Sequence, residues 1–431
     1  MYRELSRETA LLLCCARARI DEPIAARLDN ILQKELDWAE FCRLAHMHRL
    51  VMLVHRHLDF IQSNWPSRVP DEIATVLGSS ARKIAARNLL MVSELFRILE
   101  LLEVRGIEAI PYKGPVLASI LYQNTITRQC VDLDFLIRKQ DVLDARDILL
   151  QNEYRPFEHP SPHEEDVYFQ SEKDFKFWHI PKSLSVELHW RAALPRNSFP
   201  IDSDQLWRNA ETIHVGGRRI LSLSPEDLVL ILAANGAKDR WVSLSQICDL
   251  AELLRSRPSI DLDRVVQQAV ELRCRRVLYT GLLLAADLLD APIPERLRQE
   301  IYRDRSVRRL IAQVCRRLTS GTDRPFWGFE KSLFTLRARD TWRDRLPVLA
   351  LWLREALSPS AKDRELVALP TKLHALYYLI RPIRLGARYS RAAIRNGYRY
   401  ARKVTRRTRS SGQDLFAPTA ALKSEHDPGG R

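Results

Sequence analysis

The sequence predicts an α+β protein in which a small unit with β-strands is inserted between mainly helical regions. Apolar residues recur at helical spacing through the first hundred residues and again after residue 222. Between these stretches, short β-like runs alternate with polar turns. Glycine is scarce, with 14 in 431 residues, which favours helices over the many tight turns of an all-β fold.

Composition is that of a globular protein with a large core. A chain of 431 residues predicts two or three domains. No apolar run reaches the ~18 residues of a membrane helix, and the acidic Glu4 and Glu8 are untypical of a signal peptide. The seven cysteines form no C-x-x-C motif. We therefore expect reduced thiols in a cytoplasmic protein, without a structural zinc site.

The N-terminal region is predicted to be helical. Asp71 begins a helical pattern that runs to Glu103. Apolar residues recur along it at steps of three or four, and they predict the buried stripe of a long helix: Leu89, Val92, Phe96, Leu99 and Leu102.

A strand–turn–helix–strand pattern follows this helix. Ile107–Tyr112 has the apolar character of a short strand, Lys113-Gly114-Pro115 breaks it, and Val116–Tyr122 is dense enough in apolar residues for a short helix. Val131–Ile137 then predicts a second strand. A glycine before a helix start lets backbone N–H groups approach a phosphate, and the helix start favours an anion.

The second strand carries Asp132 and Asp134, which leave the same face because they are two residues apart. Side-by-side carboxylates repel one another, and proteins usually tolerate this when a cation sits between them. An exposed strand edge is the alternative interpretation of an isolated D-x-D. A phosphate cradle beside a metal-binding carboxylate pair is the minimum for nucleotidyl transfer.

Three more β-like runs follow, at Val167–Gln170, Phe175–Ile180 and Ser185–Trp190. In the last run, Glu187 and His189 share one face. Helices return after Ser224-Pro225-Glu226-Asp227, a strong N-terminal helix signal. We therefore divide the chain into a helical region, an α/β core, a helical domain, C-terminal helices and a disordered tail: 1–103, 104–215, 216–345, 346–409 and 410–431.

Net charge is +14, and it is concentrated near the C-terminus. Between Arg381 and Arg409 there are eleven Arg or Lys residues and no acid. The arginines recur at three- or four-residue steps, so a helix over Arg384–Arg409 would carry one cationic ridge. Three interpretations stay open: an anionic membrane surface, RNA, or a solvated helical arm without a dedicated partner.

Several of these segments resemble the uncharacterised nucleotidyltransferase family of the DNA polymerase β-like superfamily. The core of the resemblance is Lys113-Gly114-Pro115, Arg128 and Asp132-Leu-Asp134. Later segments are also similar to the family and extend the resemblance over most of the chain: Glu187-Leu-His-Trp190, Gly236-Ala-Lys238, Trp241, Cys248-Asp249, Leu369-Pro370 and Arg381-Pro382.

The resemblance implies a small mixed-sheet nucleotidyltransferase domain that moves an NMP from an NTP, such as ATP, to an acceptor hydroxyl. It implies that Asp132, Asp134 and Glu187 hold Mg²⁺ or Mn²⁺ and carry catalysis, with Glu187 also taking the proton of the hydroxyl. The residues expected to bind the triphosphate are Lys113, Gly114, Arg128, Lys238 and Arg240.

Each of these assignments has an alternative. Glu187 could be a surface residue on an edge strand, and His189 either assists or packs. Lys238 and Arg240 could simply end a helix, where cations interact favourably with the macrodipole. A non-catalytic descendant that binds a nucleotide and docks through Arg384–Arg409 is the alternative for the whole protein.

Overall fold

A five-stranded mixed sheet is formed by strands from the central part of the sequence. The computed structural model describes residues 5–157, 168–169, 172–192, 201–319 and 328–357. The strands are β1 Ala109–Pro111, β2 Asp132–Ile137, β3 Tyr154–Pro156, β4 Asp174–His179 and β5 Leu184–His189, in the spatial order β1-β2-β5-β4-β3. Only the β2–β5 pair among these is parallel. The predicted α+β class is confirmed.

Helices precede, interrupt and follow the sheet. The chain divides into two compact units, Met1–Arg345 and Leu346–Arg431; the finer domain boundaries stay a prediction. Before the sheet come α1 Arg7–Cys15, α2 Glu22–Leu32, α3 Trp38–Met47, α4 Val51–Asn64 and α5 Asp71–Glu103. Between strands lie α6 Gly114–Tyr122, α7 Val142–Gln151 and α8 Ser203–Arg208. After residue 222 come α9 Pro225–Asp239, α10 Leu244–Ser256, α11 Leu262–Glu271, α12 Arg275–Leu289, α13 Glu295–Arg303, α14 Arg305–Thr319, α15 Gly328–Arg337 and α16 Trp342–Leu357.

The long helix α5 buries a different face from the predicted one. Leu89 is 57% exposed, and the buried face instead includes two polar residues, Asn88 and Glu94. Leu102 alone of the predicted stripe is fully buried. The prediction failed because it considered only the spacing of apolar residues, whereas both of these polar residues make several hydrogen bonds inside the protein.

The strand predicted at Val167–Gln170 is also wrong where the structure describes it. Tyr168 and Phe169 have helical backbone, and their rings pack against aromatic residues of the sheet. Tyr168 stacks on Phe175 with ring centroids 5.2 Å apart, and Phe169 lies 4.8 Å from Trp190. A short apolar run fits a strand or a helix equally well from its pattern alone.

A two-stranded hairpin that the sequence did not predict follows the sheet. It consists of β6 Glu211–Val215 and β7 Arg218–Ser222, joined through Gly216 and Gly217, both with positive φ. Glycine tolerates this left-handed conformation, which the tight turn requires.

Trp241 is the packing centre of the helices that follow. Its ring is fully buried between Gly236 on α9 and Gly281 on α12. A Cβ atom at Gly281 would lie 2.9 Å from this ring, and one at Gly236 would lie closer still. The two glycines therefore make room for the indole.

No helix in the described ranges combines the length and apolar character needed to cross a membrane. The arginine-rich segment Arg384–Arg409 and the predicted tail at 410–431 lie outside the described residues.

Candidate active site

The parallel pairing of β2 with β5 brings four chemically active side chains to one face of the sheet. Asp134 is paired directly with Glu187, and Asp132 with Ser185. Because residues two apart on a strand share a face, Asp132, Asp134, Glu187 and His189 all leave the same side. The sequence predicted that Asp132 shares a face with Asp134, and that Glu187 shares a face with His189. The register of β2 and β5 shows that these two faces are on the same side of the sheet.

Asp134 is the most enclosed member of this group. Its side chain is fully buried, and its Oδ1 lies 2.8 Å from Lys113 Nζ and 2.9 Å from His189 Nε2. Its Oδ2 is buried without a hydrogen-bond partner among the described residues. Burial opposes ionisation, but the Lys113 ammonium and the hydrogen bond with His189 outweigh it and hold the pKa of Asp134 well below its usual range. The site therefore contains an ionised carboxylate, one oxygen of which accepts no hydrogen bond from the described residues.

Glu187 faces Asp134 from the neighbouring strand. Its Oε2 lies 3.2 Å from His189 Nε2, and its Oε1 accepts a hydrogen bond of 2.5 Å from Lys176 Nζ. Burial raises the pKa of Glu187, but the contacts with His189 and Lys176 prevail and lower it. One ligand atom each of Asp134, Glu187 and His189 falls within 4.8 Å of the others, a spacing that suits one metal ion.

Asp132 lies at the margin of this cluster. It is half-buried and falls outside the group of three whose ligand atoms converge. Burial and the negative charge of Asp134 raise the pKa of Asp132, so a cation close to both would stabilise its ionised form. Oxygen donors of this kind are the ligands that Mg²⁺ and Mn²⁺ prefer. The residues present therefore fit a divalent cation.

Two further charged residues, Lys173 and Asp174, lie next to His189 Nδ1, and the sequence analysis did not identify them. Lys173 Nζ is 3.0 Å from His189 Nδ1 and also donates to Asp174 Oδ2. Asp174 Oδ2 is 3.4 Å from His189 Nδ1. Burial lowers the pKa of Lys173, and the Asp174 carboxylate opposes that change. The signal was present as Asp174 and Lys176, two polar residues alternating on β4, but only strand pairing shows which face they share.

At Gly114, the backbone at the start of α6 lies very close to the backbone at the start of β2. Its φ is +57°, and a Cβ atom there would lie 2.9 Å from the carbonyl oxygen of Asp132. Both features require glycine at this position. The structure thus brings Lys113 and Gly114, which were expected to bind phosphate, next to the carboxylates.

Asn88 of α5 makes hydrogen bonds to the segment that leads into β2. Asn88 is fully buried and donates to the carbonyl oxygens of Ile126 at 3.0 Å and Arg128 at 2.8 Å. Its Oδ1 accepts from the N–H of Cys130 at 3.2 Å. Three hydrogen bonds from one side chain therefore position the segment just before Asp132.

The other expected phosphate ligands have different surroundings. Arg128 Nε lies 3.0 Å from both carboxylate oxygens of Asp249, which links this segment to α10. Lys238 is exposed in the last turn of α9, and no ion pair within the described ranges joins it to the carboxylates. Burial lowers the pKa of Arg240, whose charged neighbours are Asp239 and Arg317. The phosphate-binding role of these three residues stays a prediction.

One comparison with known proteins, that with protein families, agrees with the sequence resemblance. No curated protein matches the chain. One similar solved structure is an antigenic nucleotidyltransferase-like protein from Paracoccidioides brasiliensis, with 14% sequence identity and a TM-score of 0.26; the match covers 48% of this chain and 93% of that chain. The model of the uncharacterised nucleotidyltransferase family matches residues 34–290, more than half of the sequence and the whole of the sheet and its carboxylates. The chain therefore belongs to the uncharacterised nucleotidyltransferase family.

Proposed function

We propose that the protein is a metal-dependent nucleotidyltransferase that moves an NMP from an NTP to the hydroxyl group of an acceptor. The observation that carries this proposal is the buried Oδ2 of Asp134, which has no hydrogen-bond partner within the described part of the chain. Asp134 lies directly across the strand pair from Glu187. A buried ionised oxygen without a partner is costly, and a cation bound there would remove that cost.

Asp132, Asp134 and Glu187 are the residues that would hold Mg²⁺ or Mn²⁺. When bound, such cations neutralise the triphosphate and polarise its phosphoryl oxygens. Asp134 is held rigidly for this role because Lys113 and His189 fix its other oxygen. Rigid ligands keep a metal site at the required geometry.

Lys113 and Gly114 would bind the triphosphate in this proposal. The Lys113 side chain is 20% exposed, whereas that of its partner Asp134 is fully buried, so part of the lysine side chain reaches solvent. Backbone N–H groups at the start of α6 add a favourable site for phosphate oxygens. The same lysine therefore interacts with the carboxylate now and with a phosphate when nucleotide binds.

Glu187 is the proton acceptor in this proposal. Its lowered pKa keeps it ionised at neutral pH, as a base requires. The acceptor hydroxyl would give its proton to Glu187 as the oxygen attacks the α-phosphate, and pyrophosphate would leave.

Pyrophosphate release tests this proposal. The protein is incubated with each common NTP, with Mg²⁺ or Mn²⁺ and with mixed cellular acceptors, and release is compared with that of Asp134→Asn. The same substitution at Asp59, an exposed residue of α4, serves as the matched control. We expect release that requires metal and is lost in Asp134→Asn only. Equal release by Asp134→Asn, or none by the unaltered protein, would contradict the proposal.

One observation favours a second candidate, a nucleotide-binding protein without catalysis. Lys113 contacts Asp134, and Lys173 and Lys176 contact Glu187, so much of the negative charge of the site is neutralised by the chain itself. This candidate predicts NTP binding in equilibrium dialysis without pyrophosphate release. For both candidates, the partner of Arg384–Arg409 stays a prediction, either an anionic membrane or RNA. Salt-sensitive RNA binding that is lost on truncation after Leu385 would support RNA as the partner.

A further inference from the structure

We propose that the sheet face beside Glu187 binds the 3′ end of a single-stranded RNA, and that this RNA is the acceptor of the NMP. The inference rests on the proposed function and deepens it, because it names the acceptor class of the same site. Five side chains of β3, β4 and β5 carry it, and we call them the edge platform: Arg155, Phe157, Lys176, Trp178 and Ser185.

Strand pairing places the edge platform on the same face of the sheet as Glu187. Lys176 is paired with Glu187, and Trp178 lies two residues further along β4 and so shares that face. Arg155 is paired with Trp178 on the edge strand β3. Phe157 directly follows β3, and its N–H donates to the carbonyl oxygen of Lys176 at 2.9 Å. The platform therefore continues from the carboxylates to the edge of the sheet.

Two aromatic rings of the platform reach solvent. Phe157 is 62% exposed and Trp178 is half-buried, and their rings pack edge-on with centroids 6.3 Å apart. The other aromatic residues of β4 with this alternation, Phe175 and Phe177, leave the opposite face and are buried. Exposed rings on a sheet face are a surface on which unpaired RNA bases stack.

The charges of the platform favour RNA over an apolar protein surface. Arg155 is exposed, and no ion pair among the described residues involves it. The Lys176 side chain is 48% exposed although its ammonium contacts Glu187. Cations beside aromatic rings bind the phosphates that connect stacked bases. An apolar protein would instead bury the Arg155 guanidinium without a partner, which is costly.

Ser185 lies between the rings and the carboxylates. It is paired with Trp178 on one side and with Asp132 on the other, and it is two residues from Glu187. Its half-buried hydroxyl has no hydrogen-bond partner among the described residues. A ribose 2′-hydroxyl is a donor and an acceptor that DNA lacks, and the Ser185 hydroxyl can pair with it. This residue therefore favours RNA over DNA.

The dimensions of the sheet suit one terminal nucleotide. Two residues along a strand cover roughly 7 Å, and neighbouring strands lie about 5 Å apart. A base stacked on Trp178 thus has its ribose near Glu187. The terminal hydroxyl oxygen then bonds to the α-phosphorus, the bond from that phosphorus to the bridging oxygen breaks, and pyrophosphate leaves as the proton passes to Glu187.

Binding of a fluorescent tetraribonucleotide to the metal-free full-length protein tests the stacking. Anisotropy should show binding weakened at least about fivefold in Trp178→Ala and retained in Trp178→Phe, which keeps a ring. Trp342→Ala, at a 64% exposed position of α16, is the control and should bind normally. Unchanged binding by Trp178→Ala, the result expected if this face docks a protein, would overturn the proposal.

Salt and sugar dependence test the polar contacts. Arg155→Gln should lower the slope of log affinity against log salt by about 0.7, whereas Arg68→Gln, at an exposed position, should not change it. Ser185→Ala should weaken RNA binding towards that of the DNA tetranucleotide and leave DNA binding unchanged. A normal slope in Arg155→Gln, or tighter binding of DNA than of RNA by the unaltered protein, would overturn the assignment.

The position of the 3′ end is tested by cross-linking. An RNA that ends in 4-thiouridine should cross-link to Phe157 or Trp178, as read by mass spectrometry of the digested protein. Cross-links confined to Arg384–Arg409 would overturn the proposal. With metal and NTP, this RNA should support pyrophosphate release, and a 2′,3′-dideoxy end should abolish it. Cross-linking at Trp178 without release would contradict the proposed enzyme and leave the RNA-binding surface supported.

Discussion

Asp134 and Glu187 lie directly opposite each other on the parallel strands β2 and β5. Residues 53 positions apart in the sequence are thereby placed side by side, with His189 Nε2 between their oxygens. If this pair is the catalytic centre, replacing Asp134 and replacing Glu187 should impair the activity of the protein in different ways.

Neutralising Glu187 is expected to slow turnover more than it weakens nucleotide binding. Glu187→Gln keeps an acceptor for Lys176 but removes the proton acceptor, which is worth roughly 10²–10⁴-fold in rate. The measurement is kcat and KM for pyrophosphate release. Glu72→Gln, at an exposed position of α5, is the control and should leave both unchanged. A Glu187→Gln variant with normal kcat would remove Glu187 from the mechanism.

Replacing Lys113 is expected to make the stability of the folded protein depend on bound metal. Lys113→Met leaves Asp134 buried without its cation, and breaking a buried ion pair costs about 3–5 kcal/mol. Mn²⁺ would restore a positive charge there, so it should raise the Tm of Lys113→Met more than that of the unaltered protein. Thermal melting with and without Mn²⁺ checks this. Equal Mn²⁺ effects on the two proteins would contradict it.

Glu94 is expected to make stability fall in acid. Burial opposes its ionisation, but hydrogen bonds from Arg97, Lys182 and Tyr154 prevail and lower its pKa to about 2. A lowered native pKa adds stability that is complete above the unfolded value of about 4.3 and is lost as pH falls through the native value.

Denaturant unfolding between pH 5 and pH 2 tests this assignment. The unaltered protein should lose about 2 kcal/mol more over this interval than Glu94→Gln does. Glu103→Gln, at an exposed position at the end of α5, is the control and should follow the unaltered protein. Parallel curves for Glu94→Gln and the unaltered protein would show that the Glu94 cluster does not carry the acid sensitivity.

A methyl group at Gly236 is expected to destabilise the helices around Trp241. Its Cβ would overlap the buried indole, and overpacking of a core costs about 1–3 kcal/mol. Gly78→Ala in α5 is the matched control, because a Cβ there meets its neighbours at 3.6 Å, an ordinary contact. Denaturant unfolding should show a loss for Gly236→Ala and no loss for Gly78→Ala.

Local sequence patterns predicted much of the fold and two of the side-chain pairs of the candidate site. Strand alternation placed Asp132 with Asp134 and Glu187 with His189, and the Lys113-Gly114 break placed a helix start beside them. These are short-range features that depend on the period of two along a strand. The α+β class, which rests on the same patterns, is confirmed.

What the sequence could not predict depends on pairing between distant segments. The 3.0 Å contact of Lys173 with His189 exists only because β4 pairs with β5. The burial of Asn88 and Glu94 was not predicted, because it depends on partners up to 88 residues away. The contact of the Arg128 guanidinium with Asp249, 121 residues on, was not predicted either, and the phosphate-binding role of Arg128 stays a prediction.

The three hydrogen bonds of Asn88 set a limit on how far this protein can be shortened. A fragment that begins at residue 104 would retain every acid of the site, yet the backbone entering β2 would have lost the amide that holds it. Under the proposed function, the smallest active fragment should therefore include the long helix. A fragment that contains the sheet without this helix should position Asp132 poorly.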